Sequence, residues 1–294
     1  MNAHLLAGPI LLPLAAAALQ LLLGERRRGA ASALGALSCL GLLGFALALL
    51  AVVGDGTTLV YRIGGWPARF GIVLVADRLS ALMLLLTAVL ALALLPVVLG
   101  RWRRPGSALQ PLAQFLLMGL NGTFLTGDLF NLFVFFEVLL AASYGLALHH
   151  PSAQRVGAGL HYIAINLLAS LLFLVGVSLI FGVTGTLNMA ALAQLVPQVP
   201  ANTRALLHAG AAILGVAFLV KAAMWPLGFW LPRSYAAAPS AVAAMFAVMT
   251  KVGVYVLLRL SLLLFGAGAG AASAGFGRSE EHTSEFQSLA YLVC

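Results

Sequence analysis

The sequence predicts an all-α polytopic membrane protein with about eight transmembrane helices, the seventh broken by proline. Two observations carry that prediction. Of 294 residues, 62% are hydrophobic and 8% are charged, whereas in soluble domains about a quarter are charged. The apolar residues also gather into stretches close to the roughly 20 that a helix needs to cross about 30 Å of hydrocarbon. Domain counting by length has no force here, because stacked spanning helices form one bundle.

Eight stretches qualify: 5–23, 30–53, 78–100, 108–127, 129–149, 159–182, 208–231 and 239–265. The first has no basic stretch ahead of it and no small-residue cleavage site before the arginines, so it reads as a helix and not as a signal peptide. Residues 54–77 place β-branched residues around Gly64, Gly65, Trp66 and Pro67, which predicts an extracytoplasmic β-hairpin. Residues 184–207 carry Leu187, Leu192, Leu195 and Val199 among polar residues, the pattern of a short amphipathic helix lying on the outer surface. The last segment, 279–294, holds three of the chain's eight acidic residues after a Gly/Ala run. It reads as a non-native extension, with the native protein continuing beyond about Gly277 and this chain a fragment of it.

The net charge of +8 does not point to nucleic acid, because the arginines cluster beside apolar stretches. Arg26 to Arg28, Arg101 with Arg103 and Arg104, Arg155 beside His149 and His150, and Arg233 follow spans one, three, five and seven. The excess of Lys and Arg on cytoplasmic loops makes these connections cytoplasmic and the N-terminus extracytoplasmic. The opposite side has Arg62, Arg69 and Arg204, offset by Asp55 and Asp77. Two cysteines, Cys39 in an apolar stretch and Cys294 at the end, offer no disulfide framework.

The only two lysines, Lys221 and Lys251, both lie inside apolar stretches. A lysine at a helix centre costs about 2.5–3.5 kcal/mol on insertion scales, so its presence there needs a reason. Near Lys221 stand Pro226 and Pro232, which remove two backbone donors and predict a helix break that leaves carbonyls free beside the ammonium. Transporters build ion sites at such discontinuities; the plainer alternative is a lysine snorkelling from a kinked helix end. Lys251 lies about 18 Å of helical rise into span eight, too deep for easy snorkelling, and a lysine that can lose its charge can pass a proton. Glu137, among phenylalanines in span five, is the one carboxylate placed well inside an apolar stretch. Facing Lys221, it makes a pair able to switch as a proton moves; the alternative is a static salt bridge pinning two helices. His161 extends a proton path or is interfacial; Asn121, Thr123, Asn166 and Ser170 hold waters or, the blander reading, make interhelical hydrogen bonds. No phosphate loop, CxxC pair, metal-ligand set or nucleophile elbow occurs, so no cofactor, metal or covalent catalysis is expected.

Residues 119–147, GLNGTFLTGDLFNLFVFFEVLLAASYGLA, and 221–259, with Lys221, Pro226, Trp230-Leu231-Pro232 and Lys251, resemble the antiporter-like membrane subunits of respiratory complex I and the Mrp (Pha) cation/proton antiporters. Phe130 to Val138 and Gly182 to Ala190 are most similar to the D-type subunits of Mrp antiporters. Complex I relatives carry an acidic residue after Trp-Leu-Pro, where Arg233 stands here, which favours the antiporter. The resemblance implies a proton relay of Glu137, Lys221 and Lys251, partner subunits in a membrane complex, and protons and Na+ as the transported ions. It divides the chain into 1–107, three N-terminal helices with the hairpin; 108–277, the first five-helix repeat; and the tail 278–294. Family members carry a second, inverted repeat, and no second copy of the Lys-to-Pro pattern occurs here. Two rivals remain: a proton-translocating, non-redox subunit of an NADH:quinone oxidoreductase or membrane hydrogenase, and a structural scaffold.

Overall fold

The computed structural model describes residues 2–24, 27–66, 71–101, 108–149 and 152–265. Arg26, Pro67, Arg69, Arg103, Arg104, His150 and the 278–294 tail lie outside the described residues.

Among the described residues, ten α-helices and one two-stranded sheet follow in order: α1 (Gly8–Leu23), α2 (Arg28–Val53), β1 (Leu59–Arg62), β2 (Val73–Ala76), α3 (Arg78–Arg101), α4 (Leu109–Leu125), α5 (Leu129–Ala147), α6 (Ala153–Thr184), α7 (Met189–Leu195), α8 (Ala201–Lys221), α9 (Trp230–Ala237) and α10 (Ser240–Phe265). Six of these helices are long and apolar enough to cross a membrane: α2, α3, α5, α6, α8 and α10. The chain is thus a mostly helical, multi-pass membrane protein, but two of the eight expected spans are short. α1 has 16 residues and α4 has 17. Fourteen of the α4 residues are buried, so its surroundings are protein and its sequence is free to be polar.

Prolines and caps set the boundaries. Pro13 inside α1 cannot donate to the carbonyl of Pro9 four residues back, and Asn121 of α4 donates its Nδ2 to that carbonyl at 2.8 Å. A polar residue thereby ties α4 to α1 where the α1 ladder is interrupted. Asp128 caps α5 by accepting from the backbone N–H groups of Phe130 and Asn131, each at 2.9 Å. α6 begins at Ala153, six residues before the expected start, because Ser152 serves as its N-cap and accepts from Arg155 N–H at 3.3 Å.

The predicted hairpin forms, with β1 antiparallel to β2 and Leu59 opposite Ala76. It marks one end of the bundle, the hairpin end. The short helix predicted on the outer surface is α7, and it is docked more deeply than an amphipathic surface helix: Met189 and Leu192 are buried, and α7 packs on α10. In the bundle α6 lies against α8, α5 against α4, and α4 against α1. α5 also packs on α6, so the three helices that bear Glu137, Ser170 and Lys221 come together.

Candidate functional site

Lys221 is the last residue of α8 and is buried. The helix stops there because Ala223 takes a left-handed backbone conformation at φ 54°, unfavourable for a residue with a Cβ. Residues 222–229 then run irregularly until α9 begins at Trp230. Pro226 lies in this break as predicted. Pro232 does not: it sits in the first turn of α9, where a helix needs no intrahelical donor, so it starts a helix instead of interrupting one.

The carbonyls before the break are not left free either. Phe218, Leu219 and Val220 accept backbone bonds from Ala222, Met224 and Ala223. Val220 also accepts from the Trp230 indole Nε1 at 3.0 Å. A side chain from beyond the break thus ties it shut, and Lys221 meets side chains rather than stray carbonyls.

Its Nζ donates to the Ser170 hydroxyl at 3.1 Å, and Ser170 Oγ donates to Glu137 Oε1 at 2.5 Å. Glu137 and Lys221 therefore meet across a serine on α6, not in direct contact. Lys221 Nζ lies 4.8 Å from the Phe136 ring centroid, a cation–π contact. Phe136 is 6.2 Å from Phe173 and 5.9 Å from Phe218, and the latter two are 4.8 Å apart. The ammonium is in apolar surroundings with one hydroxyl, one ring face and a carboxylate beyond. Such an environment penalises isolated charge and leaves few routes for a proton.

Ser170 ends a stripe on α6. Tyr162, Asn166 and Ser170 stand four residues apart, on one helix face, and all are buried. Tyr162 shares a 2.8 Å hydrogen bond with Ser143 of α5, and its ring lies 5.4 Å from those of Tyr144 and Trp230. His161, one residue along, lies on a neighbouring face with its ring 5.9 Å from that of exposed Phe229. The structure does not bring His161 to the Glu137–Ser170–Lys221 cluster. Lys251 sits partly buried in mid-α10. Its helix reaches the break through Gly253, where an added Cβ would lie 2.7 Å from Ala222 N, so only glycine permits that approach. Among the described residues no group of acidic, His and Cys side chains could hold a metal ion.

A second charged cluster lies at the hairpin end. Arg259 of α10 pairs directly with Asp77 at 3.2 Å and hydrogen-bonds the Tyr255 hydroxyl, which donates to the Phe124 carbonyl at 2.8 Å. Asp77 also accepts from Ser80 N–H at 2.8 Å, capping α3. In the sequence Asp77 reads only as a loop charge, and nothing local links it to Arg259, which lies far along the chain.

Comparison with known proteins agrees with this architecture. The family described as NADH:quinone oxidoreductase/Mrp antiporter, transmembrane, matches residues 126–274. The chain is 57% identical over 293 residues to the D-type subunit of a probable K(+)/H(+) antiporter from Rhizobium meliloti (strain 1021), covering 98% of this chain and 54% of that protein. It is 44% identical over 217 residues to the D-type subunit of a Na(+)/H(+) antiporter from Alkalihalophilus pseudofirmus, covering 73% of this chain and 43% of that one. A chain in the structure of the Mrp complex from Dietzia sp. DQ12-45-1b superposes with a TM-score of 0.79 at 34% identity, over 90% of this chain and 49% of that one. The chain spans about half the length of the curated relatives it matches.

Proposed function

The chain belongs to the NADH:quinone oxidoreductase/Mrp antiporter membrane family, and we propose that it serves as a D-type subunit of a multi-subunit antiporter exchanging protons for a monovalent alkali cation. Its role in that assembly is to relay protons, through Glu137, Lys221 and then Lys251. The observation that carries this reading is the hydroxyl-bridged pair of Glu137 and buried Lys221 beside a helix break. A membrane protein that buries an ammonium against a phenylalanine ring and links it through one hydroxyl to a partly buried carboxylate has built a place where charge can be made and removed.

The cation is Na+ or K+, since the named relatives divide between the two. The orientation we propose puts the hairpin and the N-terminus outside the cell, with the Arg155 and Arg233 connections facing the cytoplasm. Nothing in this reading requires the chain to catalyse a bond-making reaction.

The test is exchange in everted membrane vesicles from antiporter-deficient bacteria that express this chain with the other subunits of its complex. Adding Na+ or K+ should collapse an imposed pH gradient, followed by a fluorescent amine. The family description also covers subunits of NADH:quinone oxidoreductases. Proton uptake driven by electron transfer to quinone, with no response to either cation, would establish that alternative and contradict antiport.

A further inference from the structure

We infer that Ser170 is itself part of the relay, its hydroxyl carrying the proton between Lys221 and Glu137; this rests on the proposed relay and adds a link to it. The geometry allows one hydrogen-bond polarity. An ammonium can only donate and a carboxylate can only accept, so the hydroxyl between them accepts from Lys221 Nζ at 3.1 Å and donates to Glu137 Oε1 at 2.5 Å. Both bonds point from the lysine towards the glutamate.

That order is the one a two-proton shift needs. One ammonium proton leaves Nζ for Ser170 Oγ while the serine's own proton leaves Oγ for Glu137 Oε1. One N–H bond and one O–H bond break, and two O–H bonds form. Lysine and glutamic acid both end neutral, the serine is chemically unchanged, and the reverse shift restores the charges. No oxidant, metal or other reactant is consumed.

The hydroxyl also explains why the charges do not touch. Inserting one hydroxyl weakens the direct attraction and keeps a continuous path. Ser170 is 5% exposed and Lys221 is 4% exposed, so bulk water does not supply this link from outside. The Phe136 ring covers Lys221 Nζ at 4.8 Å.

Three substitutions in the assembled complex test the inference: Ser170→Ala removes the hydroxyl, Ser170→Val removes it while filling the space, and Ser170→Thr keeps it in the same shape as valine. Rates of cation-driven proton exchange are measured in vesicles, with assembly checked by co-purification of the partner subunits. Alanine and valine are expected to lose about 100-fold or more in rate, the scale of losing a positioned proton-transfer group. Threonine is expected to stay close to the parent rate, a rescue that a purely packing role would not give. Parent-like exchange by the alanine or valine variant, with Glu137→Ala inactive, overturns the serine relay and leaves the Glu137–Lys221 reading standing. Parent-like exchange by Glu137→Ala overturns both.

Discussion

Two clusters in this molecule contain the same three chemical parts, a carboxylate, a hydroxyl and a cation, and they connect them differently. At the hairpin end Arg259 touches Asp77 directly, while the Tyr255 hydroxyl spends its proton on the Phe124 carbonyl. In the middle of the bundle the Ser170 hydroxyl stands between Lys221 and Glu137. The first arrangement satisfies each group in place and fastens α3, α4 and α10 together. The second leaves a carboxylate and an ammonium joined only by a group that can pass a proton. Arginine also stays protonated at any physiological pH, whereas a lysine in apolar surroundings can become neutral. The lesson is that the connectivity of the charges, more than their presence, separates a clamp from a relay.

The contrast can be broken most severely at the central cluster. Lys221→Ala and Glu137→Ala should each reduce exchange by more than about 100-fold in vesicles while the complex still assembles, since each removes a proton-transfer group. Glu137→Asp should retain part of the activity, because it keeps the charge and shortens its reach. Normal cation resistance in cells carrying only Lys221→Ala would erase the distinction between the clusters.

A smaller effect is expected from moving the parts without changing them. α6 and α8 approach closely at Gly176, where an added Cβ would lie 2.9 Å from the Gly210 carbonyl oxygen. Gly176→Ala should push apart the helices that carry Ser170 and Lys221 and cut exchange about tenfold, the scale of sub-ångström to ångström misplacement. Exchange rates normalised to the amount of assembled complex measure it.

Arg259→Met should behave in the opposite manner. It breaks the clamp at the hairpin end, costing about 1–2 kcal/mol for a partly exposed ion pair and a buried hydrogen bond. A lower thermal unfolding midpoint in detergent, with exchange per assembled complex within about threefold of the parent, is the expected outcome. The mildest change is Asp128→Ala, which removes the α5 cap at a cost of about 1 kcal/mol. It should lower the same midpoint by less than Arg259→Met does and leave exchange intact.

How much of this is legible in the sequence depends on how rare each residue is in its surroundings. Lys221 and Glu137 stand out because ionisable residues in apolar stretches are costly, and the structure places both at one site. Pro226 is readable as a break because proline lacks a donor. Pro232 looks like a second break and is not one, since spacing alone does not reveal where the next helix begins, and Trp230 Nε1 closing on the Val220 carbonyl has no local signature. Ser170 is readable as an interhelical hydrogen-bonding residue, and it is one, but nothing local names Glu137 and Lys221 as its two partners. Its register with Tyr162 and Asn166, four residues apart on one face, is the available signal. The start of α6 escapes a hydrophobicity reading because apolar residues begin later than the Ser152 cap. α4 resembles an ordinary span because its length and apolarity are near the limit, and only packing shows that protein surrounds it.

Relay through this cluster requires that Glu137 gains and loses a proton as Lys221 loses and gains one. Infrared difference spectra of the purified complex in lipid, recorded as the driving cation is added, follow the carbonyl stretch of protonated carboxylic acids. A band of this kind should change on cation addition and be absent from Glu137→Gln. Identical spectra from the parent and Glu137→Gln complexes, with no carboxylic acid band in either, would contradict that relay.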